Sequence, residues 1–271
     1  MSDQRKIIIV GQQDGDVGKS TTAIYLAEMH RAAGRNFVVL DADDKHKKAS
    51  GESSLAHALP NHTVIWLGTG PSLAEMEADP DSTNLHWDKV RTVLDEHDVI
   101  LDLGANTVQR LLEYAMRMHV AEIWAHDGIE VEFWVPFLSD QGSIETGLEA
   151  LSMAGKAFGK AALRAVRNHR KGGEFHWTGT PIGNALAAME KAGVVFVDLP
   201  KASIPQVGLT AMDSGPWSAF QVRDMGLAGV TAGLGIDPKQ RSVAQRTFFA
   251  CEDWIKSVTL GWAGLVPGGN G

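Results

Sequence analysis

The sequence predicts an α/β fold, in which a doubly wound, mainly parallel sheet carries helices on both faces. Two observations lead to this fold class. Continuous apolar runs rich in β-branched residues have the character of strands buried on both faces, at residues 6–10, 37–40, 64–67 and 99–101. Strand-like and helix-like segments then alternate for about 200 residues, as they do in sheets whose strands are joined by crossover helices.

The remaining elements follow in chain order. Residues 20–33 form a crossover helix that ends before Gly34, a C-terminal stop. Helices are predicted at 106–118 and 144–158, and strands at 129–135, 163–167 and 194–197. After Pro200 comes a stretch punctuated by Gly and Pro, then a helix at 239–258 and a tail at 267–271. We expect one domain over residues 1–271, with 201–271 as a helical carboxyl-terminal extension packed on it.

Composition restricts the class of protein. The 271 residues are 44% hydrophobic and carry a net charge of −8, which disfavours binding to nucleic acid through the overall field but leaves room for a local basic patch. The single cysteine, Cys251, excludes an intramolecular disulfide and is expected to be buried. No signal-type segment is recognisable, and no apolar run reaches the roughly 18 residues of a bilayer span. These features predict a cytoplasmic protein with no transmembrane segment.

A loop with the chemistry of a phosphate-binding loop lies between the first strand and the first helix. Backbone N–H groups at a helix N-terminus bind phosphate oxygens, and Gly18 permits their close approach. Lys19 is predicted to neutralise the β- and γ-phosphate charge, and Ser20 to bind Mg²⁺. The residues predicted to form this nucleotide-binding loop are Gln13, Asp14, Gly15, Asp16, Val17, Gly18, Lys19, Ser20 and Thr21, of which Asp14 and Asp16 would repel a triphosphate unless they point outward or meet Mg²⁺ or a basic partner.

Two carboxylates complete the predicted site. Asp41 ends the second strand, where it is expected to position the attacking water and to help hold hydrated Mg²⁺, so that Lys19 and Asp41 are the catalytic candidates. Asp43 is expected to support it. Asp102 follows the apolar run 99–101 and matches a Walker B carboxylate, which binds Mg²⁺ through water. Residues 104–106 would then form the loop that senses the γ-phosphate.

The phosphate loop resembles the deviant Walker A loop of ParA/MinD-type ATPases, typically Gln-Lys-Gly-Gly-Val-Gly-Lys-[Ser/Thr]-Thr. Gln13 replaces the first glycine of the generic pattern, as it does in that family. Asp14 stands where the family has its signature lysine, and Asp16 stands where it has its second glycine. The resemblance covers roughly residues 5–200 and implies contacts between adenine and two later residues, Asn168 and Pro200.

The resemblance also implies a function. ParA/MinD-type proteins are ATP-driven positioning switches that dimerise with ATP, bind a scaffold such as nonspecific DNA or a membrane, and release it when a protein partner stimulates hydrolysis. The altered loop places this chain among divergent members, and we favour a role in plasmid partition, plasmid stability or conjugation. In the family the signature lysine reaches the partner's nucleotide, so another cation is expected here. The candidates are Lys45, Lys47 and Lys48, or Arg164, Arg167, Arg170 and Lys171.

Two alternatives remain open. Residues 16–19 also resemble the loop of dethiobiotin synthetase, a small-molecule ATP-dependent ligase, although the loop here is one residue longer. A nonhydrolysing ATP-dependent adaptor is the other alternative, if Asp14 has removed catalysis.

The remaining candidates for special chemistry are interpreted as structural. Trp66, Trp124 and Trp134 are expected to be buried in strand-like segments. Four histidines, His46, His126, His169 and His176, lack the spacing of zinc ligands.

Overall fold

The computed structural model describes residues 5–43, 53–79, 81–214 and 217–266. Seven strands form one parallel sheet: β1 (Lys6–Val10), β2 (Phe37–Ala42), β3 (Val64–Trp66), β4 (Asp98–Leu103), β5 (Glu130–Phe137), β6 (Ala162–Asn168) and β7 (Val195–Leu199). Their order across the sheet is β3-β2-β4-β1-β5-β6-β7, and every neighbouring pair is parallel. The predicted fold class is confirmed.

Eleven α-helices are present in the described residues. They are α1 (Lys19–Ala32), α2 (Ser54–Ala58), α3 (Leu73–Ala78), α4 (Ser82–Leu94), α5 (Val108–Arg117), α6 (Val120–His126), α7 (Gln141–Phe158), α8 (Pro181–Lys191), α9 (Gln206–Ser214), α10 (Ala219–Gly233) and α11 (Arg241–Gly261). A 3₁₀ turn, Pro238–Gln240, precedes α11. Within these ranges, no helix combines the length and apolar character needed to cross a bilayer.

Alternate residues of the central strand point to opposite faces of the sheet, and both faces are covered. Ile7 and Ile9 belong to the core beneath α4, α5, α6 and α7, whereas Ile8 and Val10 belong to the core shared with α1 and α11. All four side chains are fully buried. A strand buried on both faces explains the continuous apolar run in its sequence.

Five of the described strands, β2, β4, β5, β6 and β7, extend further at their carboxyl ends than the sequence predicts, whereas β1 ends as predicted and β3 ends one residue earlier. Asp41 and Asp102 lie inside β2 and β4 rather than after an apolar run, and Asn168 is the last residue of β6. Parallel ladder pairing continues through them, since Asp41 is the register partner of Asp102 and Asn168 pairs with Leu199. Ladder hydrogen bonds depend on neighbouring strands and not on side-chain hydrophobicity, so the apolar pattern underestimates strand length.

The predicted environments of the tryptophans are partly wrong. Trp124 is buried, but it lies on helix α6 and not in a strand. Trp134 is fully buried in β5, as expected, whereas Trp66 on the edge strand β3 is only partly buried. An edge strand lacks a neighbour on one side, which explains this exposure.

The region after β7 is helical and contacts the sheet through α11. Tyr25 of α1 donates a hydrogen bond from its hydroxyl to Thr259 Oγ1 at 2.7 Å. The indole N–H of Trp262 donates to the main-chain oxygen of Asp198 at 2.8 Å, and its ring is 1% exposed. Cys251 is fully buried, as predicted, and burial raises the pKa of its thiol to about 12. These contacts fix α11 against α1 and the end of β7.

Candidate functional site

The strand order brings the two predicted carboxylates to the end of β1. In the register of the sheet, Val10 lies opposite Asp102, and Asp102 lies opposite Asp41. Strands β1 and β4 are neighbours, and the connections that follow them run in opposite directions across the sheet, from β1 to β2 and from β4 to β5. The carboxyl ends of β1 and β4 therefore form a topological switch point. Ligands of open parallel sheets bind outside the carboxyl ends of the strands at such a point.

The loop between β1 and α1 has the backbone form that an anion site requires. Gly18 precedes α1 with a φ of 98°, and no side chain caps the helix there. The first N–H groups of α1 are therefore directed at the loop, together with the positive end of the helix dipole. Asp16 also has a positive φ, 57°, in the position where the resembled family has glycine. Aspartate is among the few other residues that tolerate this conformation.

Gln12 holds the loop from within, although the sequence analysis did not single it out. Its side chain is fully buried, accepts a hydrogen bond from the N–H of Asp14, and donates to the main-chain oxygen of Ser143 at 3.2 Å. It also donates to Asp14 Oδ2 at 3.3 Å. The carboxylate of Asp14 is thus drawn toward Gln12. Only the fold reveals this burial, because a single glutamine after a strand belongs to no periodic pattern.

Lys19 extends back along the loop. Its ammonium group donates to the main-chain oxygen of Asp14, and the residue is 7% exposed. Thr22 is fully buried and donates from its hydroxyl to the oxygen of Gly18 at 2.9 Å. These bonds tie both ends of the loop to the first turn of α1.

Asn168 supports the loop from the side of β6. Its Nδ2 donates to the oxygen of Val17 at 2.8 Å, and its Oδ1 accepts from the N–H of Arg170. A Cβ placed on Gly18 would lie 2.4 Å from the same Nδ2. Asn168 therefore fills the space beside Gly18, while its contact with adenine stays a prediction.

Asp41 joins three segments near the loop. It is fully buried; its Oδ1 accepts from the N–H of Asp43 at 3.1 Å, and its Oδ2 accepts from the hydroxyl of Ser53. Ser53 in turn caps α2 by accepting the N–H of Leu55 at 3.0 Å. The main-chain oxygen of Asp41 accepts the N–H of Leu67 at 2.7 Å. This residue has a structural role in addition to the predicted catalytic one.

The loop after β4 packs against the end of β2. The N–H of Gly104 donates to the oxygen of Ala42 at 3.1 Å, and the Thr107 hydroxyl donates to the oxygen of Gly104 at 2.7 Å. A Cβ on Gly104 would lie 3.0 Å from Asp43 Cγ. The proposed γ-phosphate sensor is thereby in direct contact with the segment that follows Asp41.

A cavity of about 190 Å³ opens over the loop. It is lined by Gly15, Asp16, Gly18, Lys19, Ser20, Thr21, Asp43, Ala105 and Arg170. The fold thus brings most of the predicted phosphate loop to one cavity, together with the residues that follow β2 and β4. The other predicted site residues are not in its lining: Gln13, Asp14, Val17, Asp41, Asp102, Asn168 and Pro200. A larger cavity, about 920 Å³, lies at the opposite edge of the sheet, away from this loop.

Among the cations predicted to replace the charge of the family's signature lysine, Arg170 lines the cavity. Arg167 instead forms an ion pair with Asp198 at 2.6 Å, and Arg164 donates to the oxygen of Leu163 at 3.4 Å. Lys45, Lys47 and Lys48 lie outside the described residues. Lys19 and Arg170 therefore balance the two carboxylates of the lining, Asp16 and Asp43.

The oxygen donors at this edge fit a magnesium ion. Ser20 lies in the first turn of α1 and lines the cavity, and Asp41 and Asp102 are adjacent in the sheet. Mg²⁺ is usually held by one or two such protein oxygens together with substrate phosphates and water. In the part of the chain that the structure describes, no group of three or more His, Cys, Asp and Glu side chains could hold a metal.

Pro200 is held by the carboxyl-terminal region. Its main-chain oxygen accepts a hydrogen bond from the indole N–H of Trp254 at 2.7 Å. Trp254 lies on α11, so this helix fixes the backbone that follows β7. Whether the ring of Pro200 contacts a base is a prediction that the resemblance alone supports.

No protein-family model matches the chain, and no curated protein matches it. Solved structures with some likeness include a nucleotide-binding protein from Archaeoglobus fulgidus in complex with ADP, at 14% identity and a TM-score of 0.43 over 93% of this chain and 91% of that one. Apo McdA from Cyanthece is 14% identical, with a TM-score of 0.44 over 93% and 99%. The signal recognition particle receptor FtsY from Elizabethkingia anophelis is 17% identical, with a TM-score of 0.43 over 73% and 59%. Likeness at this level does not identify a family.

Proposed function

We propose that this chain binds ATP with Mg²⁺ and hydrolyses it slowly, as a cytoplasmic positioning switch similar to ParA/MinD-type ATPases. The observation that carries the proposal is the form of the loop at the N-terminus of α1. It presents Gly18 and Lys19 at the edge of the sheet where Asp41 and Asp102 are neighbours. A helix N-terminus, a lysine and adjacent carboxylates are what a Mg²⁺–triphosphate requires.

Binding is expected to use contacts that already exist in the loop. The ammonium group of Lys19 lies against the oxygen of Asp14, and a phosphate oxygen with full negative charge would replace that carbonyl as its acceptor. Ser20 and Asp102 would hold Mg²⁺, directly or through water, and the ion would neutralise phosphate charge. Arg170, which lines the same cavity, supplies a second positive charge within one chain.

Slow hydrolysis follows from the surroundings of Asp41. Its two oxygens already accept hydrogen bonds from the Asp43 N–H and the Ser53 hydroxyl. A carboxylate held in this way can still orient a water molecule. It is a poor general base, however, because hydrogen bonds already hold both of its oxygens in place. We therefore propose that a protein partner stimulates turnover, as the resemblance implies.

The wider role rests on the resemblance. We propose an ATP-dependent homodimer that takes part in plasmid partition, plasmid stability or conjugation and contacts nonspecific DNA through a local basic patch. Asp14 cannot supply the cross-dimer cation of that family. Arg170 is our candidate for the missing charge, acting on the nucleotide of its own chain.

Nucleotide binding and phosphate release test the proposal. Lys19→Ala should weaken binding of Mg²⁺–ATP by at least about a hundredfold, because one charge-assisted contact to phosphate contributes roughly 1.5–3 kcal/mol and the loop is also disturbed. Arg170→Ala should weaken it about tenfold, and Lys171→Ala, a neighbouring exposed cation outside the cavity lining, should leave it unchanged. Calorimetric titration measures all three. Unaltered binding in Lys19→Ala would contradict the assignment.

Turnover distinguishes the alternatives. A switch predicts light-scattering evidence of dimers with a nonhydrolysable ATP analogue, and phosphate release that DNA or a partner increases. A monomer under saturating analogue, with DNA present, would contradict the switch. Rapid turnover only after a small substrate is added would indicate the ligase, whereas tight binding with no phosphate release would indicate the adaptor.

A further inference from the structure

A second cavity, of about 820 Å³, lies beside the carboxyl end of β3. It shares no lining residue with the cavity over the phosphate loop. Its walls come from Trp66, the segment 67–72, helix α3 with Asp79 after it, and helices α4 and α5. Its volume is within the range of about 300–1,000 Å³ that is typical of small-molecule sites.

Two polar side chains of α4 form its inner wall. Ser82 and His86 are four residues apart, so they share one face of the helix. Ser82 Oγ and His86 Nε2 are both buried, and neither has a hydrogen-bond partner among the described residues. His86 as a whole is 7% exposed. Leaving such an atom unpaired costs about 1–3 kcal/mol, and native structures rarely do so without a reason.

Two cations flank this imidazole. Burial, together with the charges of Lys89 and Arg110, lowers the pKa of His86 to about 4. The ring is therefore neutral at pH 7 and offers one donor or one acceptor at Nε2. The only hydrogen bond described for the Arg110 guanidinium is long, 3.4 Å to the oxygen of Thr69. Within the described ranges, neither cation forms an ion pair.

The acidic residues of the same cavity are occupied by local contacts. Glu75 accepts hydrogen bonds from the N–H and the hydroxyl of Ser72 in a capping box, at 2.7 and 2.8 Å. Asp79 accepts the N–H of Asp81 at 3.0 Å. Both carboxylates thus accept hydrogen bonds at a helix end or a turn. In the described part of the chain, neither forms an ion pair with Lys89 or Arg110, so the positive charge of these two side chains is available to a ligand in the cavity.

A glycine-containing segment lies over the imidazole. Gly68 and Gly70 have φ values of 75° and 103°, which other residues rarely adopt. A Cβ on Gly70 would lie 3.7 Å from His86 Nε2 and 3.8 Å from an Arg110 nitrogen. Glycine at this position therefore keeps open the space in which the imidazole and the guanidinium meet.

We propose that this cavity binds a small organic molecule through an anionic oxygen group, a carboxylate or a phosphate, held between Arg110 and Lys89 and hydrogen-bonded to His86. The guanidinium suits either group, since its planar donors match two oxygens at once. The indole of Trp66 provides an apolar wall for the rest of the molecule. The site is separate from the proposed nucleotide site and does not depend on it.

Fluorine NMR of protein labelled with 5-fluorotryptophan tests this proposal. The Trp66 resonance is assigned by its loss in Trp66→Phe, and titrations use the Lys19→Ala background so that the phosphate loop does not contribute. The probes are benzoate, inorganic phosphate and the uncharged benzamide. We expect a saturable shift of the Trp66 resonance with benzoate or with phosphate, which also distinguishes the two anionic groups, and none with benzamide.

Variants locate the contact. Arg110→Gln and His86→Gln should each weaken anion binding about tenfold or more, since hydrogen bonds to charged groups contribute roughly 1.5–3 kcal/mol. Arg117→Gln, on the same helix but outside the cavity lining, is the control and should bind like the parent. Arg110 is exposed, so its variant tests binding without loss of a buried group. The proposal is overturned if neither anion shifts the Trp66 resonance, or if Arg110→Gln and Arg117→Gln bind equally well.

Discussion

Asp16 places a negative charge and a left-handed backbone at the same point of the phosphate loop. It is exposed, lines the cavity, and has a φ of 57°. Asp16→Asn removes the charge and keeps a residue that tolerates this conformation, whereas Asp16→Gly removes the charge and the backbone strain. Both should raise the affinity for Mg²⁺–ATP about fivefold, as expected for relief of about 1 kcal/mol of repulsion. Calorimetric titration measures the change.

Comparison of the two variants separates charge from backbone. If charge alone governs affinity, Asn and Gly at position 16 give the same increase. Glu96→Gln, which removes a carboxylate whose side chain is 81% exposed outside the cavity lining, should change nothing. Weaker binding in Asp16→Asn would show that this carboxylate assists the nucleotide, in contrast to our expectation.

Gly18 combines a positive φ with a close neighbour. Gly18→Ala forces a Cβ to within 2.4 Å of Asn168 Nδ2 and should reduce nucleotide affinity at least about tenfold, besides costing roughly 1–2 kcal/mol of backbone strain. Gly34→Ala is the matched control, because Gly34 has a φ of 77° and open space around it. Thermal unfolding and ATP titration should show a loss of stability in both variants, but a loss of affinity only in Gly18→Ala.

At the scale of elements, an aromatic side chain just beyond the end of the carboxyl-terminal helix α11 contributes to its attachment. Trp262 is 1% exposed and its ring centroid lies 4.8 Å from that of Tyr25 on α1. Trp262→Ala should lower the free energy of unfolding by about 3–5 kcal/mol, because a large buried ring leaves a cavity. Denaturant titration measures it. Leu260→Ala, at a side chain 72% exposed, should stay within about 0.5 kcal/mol.

Elements differ in how far their sequence predicts them. Buried strands such as β1 were predicted within their observed bounds, since a strand covered on both faces is apolar throughout. Helices α4 and α8 were not predicted. The first has exposed and polar positions over much of its length, and the second buries only Ile182 fully, so neither shows a strong apolar face.

Some residues of the candidate site could likewise be predicted from the sequence, and others could not. The placement of Lys19, Asp41 and Asp102 at one edge of the sheet could be predicted because motif spacing and strand ends mark them, while their roles stay predictions. Gln12 could not, because its role depends on Ser143, 131 residues away in the chain. The positioning of Arg170 depends likewise on where β6 ends relative to β1. Contacts between distant segments leave no local pattern in the sequence.

At the scale of the whole molecule, one buried histidine makes the fold sensitive to acid. Burial, and then the charges of Lys6 and Arg35, lowers the pKa of His30 from 6.5 to about 3. The unfolded chain therefore binds a proton more readily than the folded one between these pH values. The contribution of neutral His30 is fully present above about pH 6.5 and is lost as the pH falls toward 3, by up to roughly 1.4 kcal/mol per pH unit.

Denaturant unfolding at pH 7.5 and pH 5 measures this dependence. His30→Phe keeps a ring against Phe37, whose centroid lies 4.4 Å from that of His30, and removes the titrating group. Its stability should fall less between the two pH values than that of the parent chain. His126→Gln, at a side chain 88% exposed, should behave like the parent. An unchanged pH dependence in His30→Phe would contradict this account.

The hydrogen bond between Asp41 and Ser53 also affects how this protein can vary in length. It joins the end of β2 to the start of α2, so both ends of the intervening segment are held by residues outside it. Doubling the length of a loop with fixed ends costs only about 0.6 kcal/mol of closure entropy. We therefore expect an insertion between positions 43 and 53 to cost little stability, because the hydrogen bond between Asp41 and Ser53 lies outside it.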